Sequence, residues 1–203
     1  FFSYLTFIGL ETKKFNNQII KKIKNIDPNL EIELKEVKII LEPLKLRLKT
    51  KTIGPKLTNN DKILGIENIN VNIPIKSLFN QKFLIENLEI STKSLKIEDF
   101  VSFVRTFNRD PKLYLFQKVI KKGYLIADIR INFDEKGNLK NDFKVNGFIK
   151  DTKFDLFKKY KVEKLNFIFD YEKNNLNIQD LNFSLNNFNF LSKTLNTKNL
   201  KDK

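Results

Sequence analysis

The sequence predicts a mainly β fold with helices (α+β). We expect a long, twisted antiparallel sheet, an N-terminal amphipathic helix and two central covering helices. Short runs of alternating apolar and polar residues recur from about residue 30 to 190, and turn residues separate them. Such alternation places all apolar side chains of a strand on one face of its sheet. That face must be covered by helices, by a second sheet or by an apolar ligand.

The first ten residues, FFSYLTFIGL, are nearly all apolar or aromatic. They are too few to cross a bilayer, which requires about 20 residues, and no basic leader or cleavage site indicates a signal peptide. The sequence contains no Met. We therefore expect an N-terminal fragment in which residues 1–10 are the end of a truncated transmembrane segment. The alternative is a buried first strand or helical turn.

Residues 11–27 are predicted to form the amphipathic helix. Thr12 can cap its first turn, and the sequence DPN at 27–29 ends it. Its apolar residues recur at helical spacing with lysines on the other faces, and they are Phe15, Ile19, Ile23 and Ile26. The sheet domain is predicted at 28–203 and is expected to continue beyond this fragment.

The first strands of the sheet domain are predicted at 30–41, 44–51, 66–74 and 83–97. Pro43 forms a tight corner between the first two strands, and IGP at 53–55 indicates the next break.

A helical insert is predicted at about 98–122, and we expect its two helices to cover part of the sheet. The first helix is predicted at 98–108. It begins with Glu98 and Asp99, whose charges suit the N-terminal end of a helix dipole better than a catalytic role. The second helix runs from Leu113 to Lys122, and Gly123 closes it as a left-handed cap.

Strands resume at 124–133, 139–149, 152–157, 161–171, 175–185 and 187–191. The segment DEKGN at 134–138 connects two of them as a hairpin turn. It lacks the spaced carboxylates and the terminal glutamate of a calcium loop. A turn therefore explains this segment better than a metal site.

A short motif recurs four times along the predicted strands. LGIENINV at 64–71 and FLIENLEI at 83–90 share an Ile-Glu-Asn core, and VEKLNF at 162–167 and IQDLNF at 178–183 repeat its spacing. In each copy the apolar positions shift by one residue at the centre. A β-bulge or bend produces such a shift and keeps the apolar side chains on the inner face. The motif therefore predicts a meander of bent strands.

Composition excludes several kinds of catalytic chemistry. The 203 residues include no Cys and no His, so thiolate nucleophiles, disulfides and histidine-based metal or triad sites are excluded. Glycine-rich phosphate loops and a nucleophile elbow are missing from the sequence as well. We expect a protein that is not an enzyme and that uses no cofactor and no metal.

The net charge of +14 raises the question of a polyanionic partner. Only four of the 38 basic residues are Arg, and the excess of Lys, Asn, Ile and Phe is typical of an AT-rich genome. Base stacking requires aromatic side chains on a basic face, whereas the phenylalanines here are in register with Ile and Leu. No nucleic-acid partner is predicted.

Two functions remain for the apolar face. It can be the core of a closed β-sandwich, which suits a scaffold or protein-binding module, or it can be a groove that holds acyl chains. A hydrocarbon tail gains about 0.8 kcal/mol for each buried CH₂, so a tail of about 16 carbons gains on the order of 10 kcal/mol before entropic losses. Lys45, Arg47 and Lys49 at the rim could contact anionic headgroups.

The order of features carries a family resemblance. The apolar start is followed by GLETKKFNNQI at 9–19, LKEVKIILEPLKL at 34–46, GPKL at 54–57, IENINVNIPIKSLF at 66–79 and FLIENLEI at 83–90. In this order the chain resembles the N-terminal part of the AsmA-like superfamily of Gram-negative envelope proteins, which includes TamB and YhdP. The resemblance covers residues 1–97 well and 124–190 more loosely.

The resemblance implies an inner-membrane protein with a single N-terminal anchor and a periplasmic body, whose curved sheet forms an apolar groove. It implies phospholipid acyl chains, the inner membrane and other envelope proteins as partners, a role in lipid transport and outer-membrane biogenesis, and no catalytic or cofactor residues.

We predict that inward-facing side chains bind the lipid. They are Leu46, Leu48, Val71, Ile73, Leu88, Ile90, Ile131, Phe133, Phe167, Phe169, Phe183 and Leu185. Replacing Val71 and Phe167 with Asp is expected to remove lipid and to leave the sheet folded.

Overall fold

The computed structural model of the protein describes residues 2–25, 28–59, 62–79, 84–105, 111–138, 140, 142–156, 159–173 and 175–197. These residues form a mostly β structure in which thirteen strands belong to one large, open sheet. The described strand pairs are antiparallel. The prediction of a mainly β, antiparallel fold is confirmed, and the helices within the described residues are few and short.

The helices are α1 (Phe2–Phe7), α2 (Asn16–Lys24), α3 (Ile75–Phe79), α4 (Ile97–Val104) and α5 (Pro111–Val119). The strands are β1 (Leu10–Thr12), β2 (Leu30–Glu33), β3 (Glu36–Glu42), β4 (Arg47–Ile53), β5 (Lys56–Asn59), β6 (Lys62–Pro74), β7 (Asn87–Thr92), β8 (Leu95–Lys96), β9 (Ile120–Asn132), β10 (Lys144–Leu156), β11 (Tyr160–Glu172), β12 (Asn175–Leu185) and β13 (Phe188–Thr197). Hydrogen-bonded neighbours follow the order β1-β3-β4-β6-β7-β9-β10-β11-β12-β13. Outside this path β2 pairs with β5, β5 also pairs with β6, and β8 pairs with β9.

The chain divides into two compact units. The first unit comprises Phe1–Asn59, Ile66–Ser91 and Ile129–Phe143. The second unit comprises Asn60–Gly65, Thr92–Asp128 and Lys144–Lys203. The predicted sheet domain at 28–203 is therefore divided between the two units.

The core of the first unit lies on one face of β3, β4 and β6. Val37, Ile39 and Leu41 alternate with more exposed residues along β3, and all three are buried. Buried threonines on β4 are hydrogen-bonded to β6, since Thr50 Oγ1 donates to the carbonyl of Val71 at 3.3 Å. Because its buried hydroxyl has a partner, this polar residue is compatible with the apolar core.

Helix α2 begins later than the sequence predicts. Thr12 does not cap it, because Thr12 ends strand β1, which pairs with β3. Its Oγ1 instead accepts a hydrogen bond from the backbone N–H of Lys14 at 3.1 Å. The predicted apolar stripe is confirmed at Ile19 and Ile23, which are buried. Ile26 lies outside the described residues.

The strand predicted at 44–51 begins only at Arg47, so its first three residues were assigned wrongly. Pro43 opens a 3-10 turn, Pro43–Lys45, and Leu46 closes it in the left-handed conformation with φ 46°. The turn leaves Leu44 fully exposed and Leu46 63% exposed. The corner at Pro43 is confirmed, and so is the break at 53–55, which separates β4 from β5.

Helix α4 of the second unit packs against neighbouring strands, and α5 contributes Leu113 to the same contact. Ile97 and Val101 of α4 form a buried cluster with Ile120, Leu125 and Ala127 of β9. Partly buried side chains pack against this cluster, and they are Phe100, Leu113, Val145, Ile149 and Phe169. Residues 106–108 of the first predicted helix lie outside the described residues.

Gly123 does not cap a helix, so that prediction is wrong. Helix α5 ends at Val119, and Gly123 lies within strand β9. A Cβ at this position would lie 2.5 Å from Thr152 Oγ1 and 2.8 Å from Ile97 Cδ1. Glycine is needed here because a strand and a helix approach each other too closely for a side chain.

The strands after the hairpin turn lie near their predicted positions. The turn at 134–138 is confirmed, since Asp134 Oδ1 accepts hydrogen bonds from the backbone N–H groups of Lys136 at 2.9 Å and Asn138 at 2.8 Å. The two strands predicted at 139–149 and 152–157 form the single strand β10. Strand β13 is longer than predicted and extends to Thr197.

Candidate functional site

The twelve predicted lining residues divide between the two units. Eight belong to the first unit: Leu46, Leu48, Val71, Ile73, Leu88, Ile90, Ile131 and Phe133. Four belong to the second unit: Phe167, Phe169, Phe183 and Leu185. The two groups differ in how far their side chains are buried.

Most of the first-unit group lies in a packed core. Val71, Ile73, Leu88, Ile90 and Phe133 are at most 9% exposed. Leu48 and Ile131 are half-buried, while Leu46 points outward from the turn. An acyl chain could contact the five buried side chains only by displacing their present neighbours. The structure therefore changes the expected result for Val71→Asp from loss of lipid to loss of folding.

The second-unit group lies half-buried on one face of β11 and β12. Phe169 is opposite Gly147 of β10 and Ile178 of β12, and Phe183 is opposite Phe190 of β13. We call this face of β10–β13 the inner face, because Phe169 also packs against the cluster under α4 and α5.

Two pairs of aromatic rings are in contact on the inner face. The rings of Phe167 and Phe169 meet edge to face, with centroids 6.2 Å apart. The rings of Phe183 and Phe190 are stacked, with centroids 5.0 Å apart and an interplanar angle of 11°. Such pairs contribute about 0.5–1.5 kcal/mol beyond the burial of area. They hold the rings in place although Phe167, Phe169 and Phe183 are only half-buried and Phe190 is exposed.

Three neighbouring strands of the second unit each contain a residue in the left-handed backbone conformation. Asp151 on β10, Lys164 on β11 and Asp180 on β12 have φ of 49°, 54° and 50°. The registers of β10 with β11 and of β11 with β12 shift at these places. The bulges that the motif predicted at 162–167 and 178–183 are confirmed, and the one at Asp151 was missed.

The bulges keep the inner face apolar along whole strands. On β10 both Ile149 and Thr152 turn inward although they are three positions apart, since Asp151 lies between them. The same shift by one residue occurs around Lys164. Without the bulge, the apolar residues beyond it would point to the opposite face.

The Asn166 side chain forms hydrogen bonds with residues of β10, β11 and β12 near the bulges. Its Oδ1 accepts a hydrogen bond from the backbone N–H of Asp151 at 2.9 Å. Its Nδ2 donates to the carbonyl of Lys164 at 2.7 Å and to Asn182 Oδ1 at 3.0 Å. The side chain therefore satisfies backbone groups that the bulges remove from the regular ladder.

Lys164→Gly is expected to raise the free energy of unfolding by about 0.5–1 kcal/mol, because glycine adopts a left-handed φ without the steric cost that lysine meets. The matched control is Lys161→Gly at an exposed, regular position of the same strand, which should lower stability by a similar amount. Urea unfolding measures both. Equal destabilisation by the two substitutions would contradict the left-handed assignment.

Sequence reasoning missed several inner-face residues. The cross-strand partners of β11–β13 add Tyr171, Leu176, Ile178, Phe188 and Phe190 to this face. Phe188 is 73% exposed. For Tyr171, Leu176 and Ile178 the signal was present in the sequence, because counting alternate residues outward from Lys164 and Asp180 selects these positions.

A cleft lies on the opposite face of the second unit. It has a volume of about 260 Å³ and is lined by Ser94, Tyr124, Ile126, Phe148, Lys150 and Asp151. Phe148 is opposite Ile168, and both side chains are exposed. We call this side the outer face. Its apolar residues offer controls for substitutions on the inner face.

Arg47, which was predicted to lie at the groove rim, is engaged by carboxylates of the protein. Its Nε donates to Glu42 Oε2 at 2.6 Å, and its Nη1 lies 3.7 Å from Glu86 Oε2. The hydrogen bond from Arg47 lowers the pKa of Glu42 from its ordinary value, against the effect of partial burial. An anionic headgroup would have to compete with both acids for Arg47.

Glu42→Gln is expected to destabilise the fold by about 0.5–1 kcal/mol at neutral pH, the range of partly exposed ion pairs. Because the pKa of Glu42 is lowered in the folded state, its contribution is complete above the ordinary range of glutamate and is lost as the pH falls through the lowered value. Urea unfolding of both proteins should show that the difference between their free energies of unfolding becomes smaller in acid. A difference that stays constant with pH would contradict the lowered pKa of Glu42.

No protein family, curated protein or solved structure matches this chain. Among the described residues, no helix combines the length and the apolar character needed to cross a membrane. The same residues contain no group of three or more acidic side chains placed to hold a metal ion.

Proposed function

We propose that the inner face of β10–β13 binds the acyl chains of phospholipids in a non-enzymatic, membrane-anchored envelope protein of the AsmA-like kind. One observation carries the proposal. The apolar side chains of this face remain on one side through three bulges, and apart from the buried Val162 they stay half-buried or exposed.

Burial of hydrocarbon supplies the free energy in this proposal. Apolar surface removed from water contributes about 25 cal/mol per Å². The rings of Phe167 and Phe183 and the side chain of Leu185 present accessible apolar area on neighbouring strands. An extended acyl chain on this face would cover protein and lipid area together, without requiring polar contacts.

The sequence motifs support the envelope part of the proposal, with an anchor in the inner membrane, a periplasmic body and a contribution to outer-membrane biogenesis. Exposed apolar side chains at the start of the chain agree with a membrane-proximal position. Tyr4, Phe7 and Ile8 are each more than half exposed. Aromatic and apolar residues of this kind favour the interface of a bilayer.

A scaffold or protein-binding module without lipid is the second candidate. The sealed core of the first unit favours it, because Val71, Ile73 and Leu88 are at most 1% exposed and leave no surface there for a lipid. In that function, the inner face of the second unit would contact protein.

Mass spectrometry of organic extracts from the purified, detergent-free chain separates the two candidates. A lipid-binding protein should retain phospholipid in a fixed ratio to protein, while the scaffold should retain none. A protein that carries no lipid and acquires none from phospholipid vesicles would contradict the proposal.

A further inference from the structure

Four large apolar side chains remain accessible on the outer face. Tyr124, Ile126, Phe148 and Ile168 are 36–46% exposed. Tyr124 and Ile126 alternate with buried residues along β9. Phe148 lines a cleft together with both of them and lies opposite Ile168. The four side chains therefore form one contiguous apolar patch, and such a patch at a protein surface indicates a site of interaction.

Tyr124 lies between two clefts along β9. The first cleft, with a volume of about 260 Å³, has Ile126 and Phe148 in its lining. The second cleft has a volume of about 240 Å³, and Lys121 and Lys122 contribute to its lining. Sites for drug-sized molecules measure about 300–1,000 Å³. Each cleft is smaller than that and suits one or two side chains of a larger partner.

The lysines around Tyr124 have no acidic partner in the part of the chain that the structure describes. Lys96 lies opposite Tyr124 across β8 and β9. Lys96, Lys121 and Lys122 line the second cleft, and Lys150 lines the first. None of these four amino groups forms a salt bridge with a described carboxylate. Their charges are therefore available to an anionic partner.

Two acidic residues accompany these lysines. Glu98 lines the second cleft, and Asp151 lines the first. Four positive and two negative side chains leave a net charge of +2 on the lining of the two clefts. The whole chain carries +14. Such a field attracts an anionic partner from a distance, and the unpaired lysines then meet it at the clefts.

The spacing of residues along β9 indicates the pattern of the partner. A strand rises about 3.3 Å per residue, so Lys122 and Ile126 are about 13 Å apart along the strand. An extended partner segment covers that distance in about four residues. An apolar side chain beside Ile126 in the first cleft would therefore place a carboxylate about four positions away at Lys122.

The shape and composition of this surface favour a protein segment over a membrane or a nucleic acid. A bilayer accepts apolar side chains that enter its interface, whereas Tyr124 and Phe148 flank a concave cleft and are mostly covered by the protein. Base stacking requires open ring faces, but Ile126 lines the same cleft as both rings. All four cations are lysines, and nucleic-acid recognition favours arginine.

We infer that the outer face of the second unit binds an extended acidic segment of a partner protein. An apolar side chain of that segment occupies the first cleft, and carboxylates about four positions away contact the lysines of the second cleft. Burial of the apolar side chain and the ion pairs both contribute to the affinity. The inference does not depend on what the inner face binds.

Fluorescence anisotropy with the complete 203-residue chain and a labelled peptide tests this inference. The peptide carries one phenylalanine and, about four positions later, a pair of glutamates in a background of glycine and serine. Replacing its phenylalanine with alanine, or both glutamates with glutamine, should weaken binding about tenfold. A chain that does not bind the peptide, or binds all three peptides equally, would overturn the inference.

Charge reversal in the second cleft tests the position of the carboxylates. Lys121→Glu with Lys122→Glu should weaken binding of the glutamate peptide about tenfold or more. The same variant should bind a peptide with lysines in place of the glutamates better than the parent chain does. The matched control is Lys159→Glu with Lys161→Glu at exposed positions around the start of β11. It changes the net charge equally and should alter the affinity by no more than about twofold.

The remaining outcomes distinguish the alternatives. Equal losses in the control and in the second-cleft variant would reduce the binding to general charge attraction and overturn the inference. Vesicles of equal parts phosphatidylcholine and phosphatidylglycerol test a membrane, and oligothymidylate tests a nucleic acid. Binding of either one that requires Lys121 and Lys122, in a chain that ignores the peptide, would overturn the inference and assign the surface to that partner. Fatty-acid affinity stays a separate readout because these substitutions leave the inner face unchanged.

Discussion

Val71→Asp is expected to unfold the first unit. The Val71 side chain is 0% exposed and lies opposite the buried Thr50, so a carboxylate there would have no solvent and no cationic partner. Burial of an unpaired charge, together with the lost apolar contacts, costs roughly 4 kcal/mol or more. That loss is comparable with the whole stability of many domains, about 5–15 kcal/mol. Circular dichroism and urea unfolding measure it.

The control for this substitution is Lys51→Asp on β4. Lys51 is exposed and points away from the core, so this change should alter stability by no more than about 0.5 kcal/mol. A folded Val71→Asp variant with stability near that of the parent would show that Val71 does not lie in a sealed core.

Phe167→Asp combined with Phe183→Asp is expected to abolish lipid binding while the chain stays folded. Both side chains are half-buried, so water can reach the new carboxylates in the protein alone. An acyl chain on the inner face would remove that water and leave charges against hydrocarbon. A cost of about 3 kcal/mol corresponds to a loss of affinity of more than 100-fold. Displacement of a fluorescent fatty acid measures the affinity.

Ile168→Asp is the matched control, since Ile168 is the neighbour of Phe167 on the same strand and points to the outer face. It should leave the affinity unchanged. Equal losses in the control and in the inner-face variant would mean that the inner face does not bind the lipid. Unfolding of the inner-face variant would assign Phe167 and Phe183 to the core.

The strands could be predicted from the sequence because alternation and turn residues act locally. β12 has the predicted bounds, and the bulges at Lys164 and Asp180 follow from the shift of apolar positions within one strand. Asp151 was missed because the sequence IKDTKF around it has Thr152 where the other copies have Leu or Ile, so the segment was interpreted as a break between two strands.

Burial could not be predicted, because it depends on what packs above each strand. Val71 and Phe167 each follow an asparagine and have apolar residues two positions away on both sides, yet Val71 is sealed and Phe167 is half-buried. Leu46 fits an alternating run as well as Leu48 does, but Pro43 converts the start of that run into a turn. Gly123 is explained by its approach to Thr152, a residue distant in sequence.

Photo-crosslinking from the inner face tests the central claim most directly. Benzoylphenylalanine at Phe183 replaces one aromatic ring with another at a half-buried position, and the same group at Ile168 reports on the outer face. After irradiation with phospholipid vesicles, the chain substituted at Phe183 should gain the mass of one phospholipid, and the chain substituted at Ile168 should not. Crosslinks from Ile168 alone, or from neither position, would contradict lipid binding on the inner face.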